Sequence, residues 1–273
     1  MTAEYVDPLP IVWDPEAAIG EMLKGKKGLV VGIANDQSIA YGCAHKLRAF
    51  GAELAVTWLN EKAEQHVRPH AEALGATIMG PMDVMKPGEL ENLFERIARE
   101  WGRLDFLIHA IAFAPREDLH GRVVDCSWEG FAQAMHVSCW SFIRMCKLAE
   151  PLMTDGGVAI TMSYYGADKV VNRYNLMGPV KAALEASVRY VAAELGPQGI
   201  RVFAVSPGPL KTRASSGISH FDELVQMAQE RAPAQRLVDI AEVGRVVAFL
   251  VGGASSGMTG DTIYVDGGLH NMA

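Results

Sequence analysis

The sequence lacks both long basic segments and long apolar segments. Its 273 residues include 25 Lys and Arg against 32 Asp and Glu, which gives a formal net charge of −7. Because no cluster of Lys and Arg is present to bind a phosphate backbone, nucleic acid is not an expected partner. The longest apolar run, residues 246–254, is far shorter than the roughly 20 residues of a membrane-spanning helix. A membrane is therefore not an expected partner either.

Cysteine and metal-ligand patterns are sparse as well. The four cysteines have no CxxC spacing and lie in apolar segments: Cys43, Cys126, Cys139 and Cys146. This pattern is typical of reduced thiols in a protein core. His66 and His70 are four residues apart, but Pro69 lies between them and no HExxH pattern surrounds them. The sequence therefore predicts no metal site.

The first 20 residues contain four acidic residues and no Lys or Arg. This charge is opposite to that of the basic region that begins a secretory signal or a transit peptide. Together with the reduced thiols, it predicts a cytoplasmic protein. We expect residues 1–22 to form a leader, to which the sequence assigns no chemical role, and residues 23–273 to form one domain.

Apolar residues make up 49% of the chain, enough for one large buried core. Short runs rich in β-branched residues alternate with longer segments of helical periodicity. The runs are 28–31, 53–57, 76–78, 106–109, 158–162, 202–206 and 262–265. The helical segments are 39–50, 62–74, 87–101, 127–153, 174–195, 221–231 and 240–250. Repeated alternation of this kind predicts an α/β protein with one doubly wound parallel sheet and helices on both faces.

In such a sheet a ligand binds at the carboxyl ends of the strands, so the turn after the first strand is the first candidate site. Gly32 follows that strand, and Ser38 and Gly42 stand at the start of the next helix. Glycine at this place lets the backbone approach a pyrophosphate near a helix N-terminus. The spacing is not GxGxxG, and an ordinary turn of an α/β protein can also hold two glycines.

After the second strand, neither an acid nor a base stands where a dinucleotide ribose is usually held. Glu61 and Lys62 follow within one turn. These two residues could serve NADH or NADPH, or could be solvated residues of a helix start.

The most informative segment joins Tyr174 and Lys181, seven residues apart. If the segment is helical, seven residues turn through about 700°, which leaves both side chains on one face. Their Cα atoms would then be about 10.5 Å apart, so the side chains would meet through a bound molecule. A phenol that polarises a carbonyl and a lysine on a cofactor ribose fit that spacing. The alternative is a surface lysine and a helix-capping aromatic residue.

Together these motifs resemble the short-chain dehydrogenase/reductase superfamily, and within it the divergent branch of the enoyl-acyl-carrier-protein reductases. The ordinary branch has YxxxK, which Gly178 breaks here, whereas the divergent branch has the spacing of Tyr174 and Lys181. The resemblance runs from about residue 23 to the C-terminus. Its other motifs are the 32–42 turn, His109-Ala-Ile-Ala-Phe-Ala114, Ser163-Tyr164, Gly208-Pro-Leu-Lys-Thr212 and Val265-Asp-Gly-Gly268.

The resemblance implies a Rossmann-like fold and assigns roles to individual residues. The catalytic residues would be Tyr174, Lys181 and Tyr164. The cofactor would contact Lys181 and also Gly32, Ser38, Ile39, Leu59, Asp83, Val84, Ile111, Leu210, Lys211, Thr212, Arg213 and Ala214. The acyl substrate would contact Ala114, Met177, Ile218 and Phe221. Leu59 stands where the family often has glutamine, which leaves the choice between NADH and NADPH open, although the lack of an arginine cluster favours NADH.

The implied reaction is hydride transfer from NADH to C3 of a trans-2-enoyl thioester on acyl carrier protein, followed by protonation at C2. The segment from about 212 to 233 would form a lid over the substrate. A homotetramer is implied, with the segments 127–153 and 174–195 at its interfaces. Two other functions stay open: a ketone or alcohol oxidoreductase of the same superfamily, and a dinucleotide sensor without turnover.

Overall fold

Seven parallel strands form one sheet in the computed structural model, which describes residues 21–210, 212 and 221–272. In chain order the strands are β1 (Lys27–Val31), β2 (Glu53–Trp58), β3 (Ile78–Pro81), β4 (Phe106–His109), β5 (Gly157–Met162), β6 (Ile200–Pro207) and β7 (Thr262–Val265). Across the sheet their order is β3-β2-β1-β4-β5-β6-β7. The winding direction therefore reverses between β1 and β4, the place where doubly wound sheets bind their ligands.

Helices connect the strands. They are α1 (Ile39–Ala49), α2 (Glu61–Ala73), α3 (Glu89–Trp101), α4 (Arg116–His120), α5 (Trp128–Met135), α6 (Ser141–Ala149), α7 (Met177–Leu195), α8 (Phe221–Arg231) and α9 (Ile240–Val251), with a π-helix (His136–Trp140) between α5 and α6. Within the described ranges, none of these helices combines the length and the apolar character needed to cross a membrane.

Alternate residues of the central strands enter two different cores. Val30 packs with residues of α1, α2 and α9 on one face of the sheet, whereas Leu29 and Val31 pack with residues of α3, α6 and α7 on the other. Each such fully buried side chain contributes about 1.5–3 kcal/mol. Burial on both faces explains the continuous apolar runs in the sequence. The predicted doubly wound parallel sheet with helices on both faces is confirmed.

The helices α1 and α9 touch through two glycines. A Cβ on Gly42 would lie 2.5 Å from the carbonyl oxygen of Ile240, and a Cβ on Gly244 would overlap the carbonyl oxygen of Gly42. Gly42 is therefore required for this close helix contact. The role beside a pyrophosphate that the sequence pattern suggests for Gly42 stays a prediction.

Two predicted helices differ from the observed ones. The segment 127–153 is divided by the π-helix, where Ser141 Oγ donates to the Val137 carbonyl oxygen at 2.7 Å. The helix predicted from Tyr174 begins only at Met177, because Arg173 and Asn175 adopt φ angles of 66° and 44°. Neither feature disturbs the apolar periodicity, so the sequence pattern did not reveal them.

The predicted leader, residues 1–22, lies outside the described residues except for Glu21 and Met22. Met22 packs against the core that contains Val30. All four cysteines are free thiols, and burial raises the pKa of Cys43 to about 12. Within the described part of the chain, no three His, Cys, Asp or Glu side chains come together as a metal site requires.

Candidate active site

The turn after β1 and the loop after β4 meet backbone to backbone. Gly32 has a φ angle of +105°, and a Cβ on it would overlap the carbonyl oxygen of Ala110 and lie 2.7 Å from Ile111 Cγ2. Val31 and His109 are register partners at the ends of these two strands. Only glycine fits such a conformation and such a contact without strain. Gly32 and Ile111, both predicted to contact a cofactor, are thus brought together where the winding reverses.

Replacing Gly32 by alanine is expected to destabilise the protein by about 1–3 kcal/mol, because the backbone angle is unfavourable for an L residue and the new methyl group has no space. Thermal unfolding measured by circular dichroism tests this expectation. Gly253 is the matched control, since a Cβ there meets nothing within 4 Å. Equal unfolding temperatures for Gly32→Ala and the parent protein would contradict the close contact.

Ser38 caps the N-terminus of α1. Its hydroxyl accepts from the Tyr41 amide at 3.4 Å and donates to the Asn35 carbonyl oxygen at 2.7 Å. The first turn of α1 contains no acidic residue, so its free amide groups and helix dipole are available to an anion. Ile39 packs its side chain against the core beneath, which places its backbone amide at this helix end.

At the end of β2, the structure explains why the sequence shows no clear residue for holding a dinucleotide ribose. Asn60 is the N-cap residue of α2, and its side chain accepts a hydrogen bond from the Ala63 amide at 3.1 Å. Leu59 is 57% exposed, and Glu61 and Lys62 are exposed in the first turn of α2. The hydroxyl of Thr57 is buried, and no described residue forms a hydrogen bond with it. Thr57 was missed in the sequence because a strand threonine has no distinctive pattern.

Asp83 and Val84 follow β3 at the same edge of the sheet. The Asp83 carboxylate accepts from the Met85 amide at 2.9 Å, and the Asp83 amide donates to Glu89 at 2.7 Å. Val84 packs against the core that contains Leu29. The turn is thus fixed by its own hydrogen bonds, next to the end of β2.

The loop after β4 is held by the π-helix. Ser138 Oγ accepts from the Phe113 amide at 3.0 Å and donates to the Phe113 carbonyl oxygen at 3.3 Å. Ala114, the next residue, packs against a third apolar cluster that contains Tyr174 and Met177. Ser138 is a site residue that sequence reasoning missed, because nothing in the apolar pattern marks a serine inside a predicted helix.

Three tyrosines meet above the end of β5. The ring of Tyr164 lies 4.8 Å from the rings of both Tyr165 and Tyr174, measured between centroids. Gly166 makes this possible, since a Cβ on it would come within 2.5 Å of the Tyr174 ring. Burial raises the pKa of Tyr164 and of Tyr174 well above that of a free phenol. Both phenols therefore keep their protons at neutral pH and are able to donate a hydrogen bond.

Tyr174 reaches this place by a route other than the predicted one. It lies in the turn before α7, and Asn175 fixes that turn by donating to the Leu119 carbonyl oxygen at 2.8 Å. The Tyr164 hydroxyl is buried and forms no hydrogen bond of normal geometry with any described residue. An unsatisfied buried donor of this kind is a candidate for contact with a ligand.

Lys181 lies beside the tyrosines on α7. It is only 5% exposed, and its Nζ donates to the Met162 carbonyl oxygen, two residues before Tyr164, at 2.6 Å. Burial lowers the pKa of Lys181 to about 8, while the nearby Cys139 and Glu185 oppose that shift. The side chain is thus mainly cationic at neutral pH.

In the predicted cofactor segment after β6, Leu210 and Thr212 are described. Leu210 is buried and lines a cavity of about 280 Å³ together with Gln37 and Val238. This cavity lies beside the N-terminal end of α1 rather than beside the tyrosines. Thr212 is described and half-buried. The remaining predicted residues of this segment, Lys211, Arg213, Ala214 and Ile218, lie outside the described residues, and Phe221 is described in its backbone alone.

The parallel strand order, the glycine turn at the reversal of winding and the Tyr174–Lys181 pair define an α/β oxidoreductase of the short-chain dehydrogenase/reductase class. The sequence profile of the family described as enoyl-(acyl carrier protein) reductase matches residues 32–270. The chain belongs to this family.

Individual relatives agree with this assignment. The chain is 44% identical to enoyl-[acyl-carrier-protein] reductase [NADH] 1 of Rhizobium meliloti, with 92% of each chain covered. It is 46% identical to the NADH enoyl-[acyl-carrier-protein] reductase of Synechocystis, with 92% of this chain and 98% of that protein covered. The crystal structure of the Anaplasma phagocytophilum reductase in complex with NAD superposes with a TM-score of 0.90 at 46% identity, covering 93% of this chain and 97% of that one.

Proposed function

We propose that the protein reduces the C2=C3 double bond of trans-2-enoyl thioesters on acyl carrier protein with NADH, in fatty-acid elongation. Membership of the reductase family supports this activity and this cofactor. The observation that carries the proposal is the meeting of two buried, protonated phenols and one buried lysine at the carboxyl edge of the sheet. Phenols and an ammonium group are donors suited to a developing oxyanion.

The residues around the reversal of winding fit a dinucleotide. The Gly32 turn leaves room for a backbone approach, and the N-terminus of α1 offers free amides without a competing acid. Gly32, Ser38 and Ile39 would hold the pyrophosphate, Leu59, Asp83 and Val84 the adenosine, and Ile111, Lys181 and Leu210–Ala214 the nicotinamide side. When bound, the reduced nicotinamide supplies the hydride.

Tyr174 and Lys181 would stabilise the charge that develops on the substrate. Tyr174 donates a hydrogen bond to the thioester oxygen as the enolate forms, and its high pKa keeps the proton on the phenol until then. Lys181 would hold the ribose and would add positive potential to the site. The hydroxyl of Tyr164 forms no hydrogen bond with any described residue. Tyr164 would be a second phenol that lies near the enolate or on the path of the proton. Donors placed before the reaction need no reorganisation during it.

The acyl chain would occupy the third apolar cluster. Ala114 and Met177 belong to it together with Tyr174. Residues 212–233 would cover it as a lid, with Ile218 and Phe221 against the acyl chain. Ala228 lies in α8 and Ala232 directly follows it, and both pack in this cluster. A lid that excludes water would strengthen the hydrogen bond from Tyr174.

The loss of NADH absorbance tests this function directly. The assay uses crotonyl-CoA and crotonyl-acyl-carrier protein, each with NADH and with NADPH. Oxidation of NADH with both thioesters, and faster turnover of the carrier-protein substrate, is the expected result. Oxidation with ketones alone would instead indicate a carbonyl reductase, and NADH binding without turnover would indicate a sensor.

The assembly would be a cytoplasmic homotetramer built on two helical surfaces. Exposed apolar side chains lie along α5, the π-helix and α7, among them Trp128, Trp140 and Tyr190, of which Trp128 is 72% and Tyr190 74% exposed. Isolated apolar residues are common on surfaces, but several on neighbouring helices are typical of an interface. The cytoplasm is the compartment in which four free thiols persist.

Light scattering after size-exclusion chromatography is expected to give four times the mass of one chain. Trp140→Asp combined with Tyr190→Asp would lower that mass, since a charge in an apolar interface must be desolvated. Val170→Asp is the matched control, because Val170 is fully exposed in the loop before α7. A parent protein that elutes with the mass of one chain would contradict the tetramer.

A further inference from the structure

A buried carboxylate lies one helical turn behind Lys181. Glu185 is 8% exposed on α7, and its Oε1 accepts from Ser163 Oγ at 2.5 Å. Ser163 follows Met162, whose carbonyl oxygen accepts from Lys181 Nζ. The helix is therefore fastened to the end of β5 by two side chains, Lys181 and Glu185, that bond to consecutive residues of the strand end.

The contact with Ser163 has the length of a charge-assisted hydrogen bond. Distances of about 2.5–2.7 Å are typical when a hydroxyl donates to an ionised carboxylate. Burial raises the pKa of Glu185 above its usual range, while the hydrogen bonds from Ser163 and Thr262 and the nearby cations Arg189 and Lys181 oppose that rise. The short contact with Ser163 and the position one helical turn from Lys181 favour the carboxylate form of Glu185.

The other described titratable groups that act on Lys181 include a thiol and an imidazole. On the π-helix, burial raises the pKa of the Cys139 thiol, so that it stays protonated. On β4, the fully buried His109 is bonded to Thr161 and Ser141, and burial together with Lys181 lowers its pKa to about 3, so that it stays neutral. Among the described titratable groups that act on this lysine from its own helix, from β4 and from the π-helix, Glu185 is the carboxyl group.

We propose that Glu185 and Ser163 are positioning residues for the reductase reaction: the Glu185 carboxylate keeps Lys181 charged, and its hydrogen bond with Ser163 fixes the strand end that carries Tyr164. The inference rests on the roles of Lys181 and Tyr164 in the proposed function. Ser163 is bonded to the carboxylate and is the neighbour of Tyr164 in the chain, so a shift of Glu185 would displace that phenol. The two effects, charge and position, can be separated by substitution.

Glu185→Gln removes the charge and keeps the size and the acceptor oxygen. A neighbouring anion raises the pKa of a lysine, so its removal would lower the pKa of Lys181 below its present value of about 8. NADH binding that needs a cationic Lys181 would then begin to decline at a lower pH than in the parent protein. Measured by NADH fluorescence titration, the alkaline decline of affinity is expected to move by about one pH unit toward lower pH.

Ser163→Ala keeps the charge and removes the bond to the strand end. Here the alkaline decline of NADH affinity is expected to stay in place, while kcat for crotonyl-CoA falls.

Glu185→Asp, which retains the charge, should restore the parent pH profile. Glu194→Gln is the matched control, an exposed glutamate on the same helix, and should change neither measurement.

An unmoved alkaline decline in folded Glu185→Gln would overturn the charge role, and an unchanged kcat in Ser163→Ala would overturn the position role. Neither result would affect the proposed function, which depends on NADH oxidation by the parent protein. If Glu185→Gln does not fold, NMR of ¹³C-labelled lysine in the parent protein decides the charge role. The Lys181 signal, assigned by its loss in Lys181→Arg, should show a second inflection as Glu185 takes up a proton, and a single inflection would refute the coupling.

Discussion

Replacing Lys181 by alanine is expected to weaken NADH binding by about 10- to 100-fold, since a hydrogen bond to a charged group contributes about 1.5–3 kcal/mol. The lysine is buried, and its Nζ already has one oxygen acceptor, the Met162 carbonyl at 2.6 Å. The two remaining protons of a cationic ammonium group are available to ribose hydroxyls. Removing the side chain loses these bonds and also leaves the Met162 carbonyl oxygen without this donor.

Fluorescence titration or calorimetry with NADH measures this loss without any need for turnover. Lys147→Ala serves as the matched control, because Lys147 is exposed on α6 and its ion pair with Glu150 at 2.9 Å lies at the surface. An exposed pair of this kind contributes little, so NADH affinity should not change there. Parent affinity in Lys181→Ala would refute the assignment of Lys181 to the cofactor.

The alternation of apolar runs and helical segments was sufficient to predict a parallel sheet with helices on both faces. β4 and β7 have the predicted bounds, whereas β3 was predicted at residues 76–78 and lies at Ile78–Pro81. The reason is physical: the Ala76 amide donates to the Ala71 carbonyl oxygen, so that residue still closes the end of α2. Apolar character alone does not distinguish a strand from the buried turn that precedes it.

The site could be predicted only in part, because two of its features depend on the backbone. The spacing of Tyr174 and Lys181 suggested a shared helix face, yet Tyr174 lies in a turn with positive φ angles on both sides. Residues that hold the site together, such as Ser138 and Glu185, gave no signal in the sequence. Their partners are backbone atoms or side chains distant in the chain, Phe113 and Ser163, and only the folded structure brings these together.

Replacing Tyr174 by phenylalanine is expected to lower kcat by about 100- to 1,000-fold, the usual effect of removing one donor from an oxyanion site. NADH affinity should not change, because the ring stays in place against Gly166 and Tyr164 and only the hydroxyl is lost. A donor that acts in the transition state affects kcat more than substrate binding. Single-turnover oxidation of NADH with crotonyl-CoA measures the chemical step itself.

Two further variants decide which phenol donates to the thioester oxygen. Tyr165→Phe is the matched control, a ring packed against Tyr164 at the same centroid distance of 4.8 Å, and should keep most of the activity. If Tyr164→Phe caused the larger loss and Tyr174→Phe a minor one, the donor would be Tyr164. If both single variants lose activity and the double variant loses little more, the two hydroxyls act as one unit, as residues of a shared oxyanion site do.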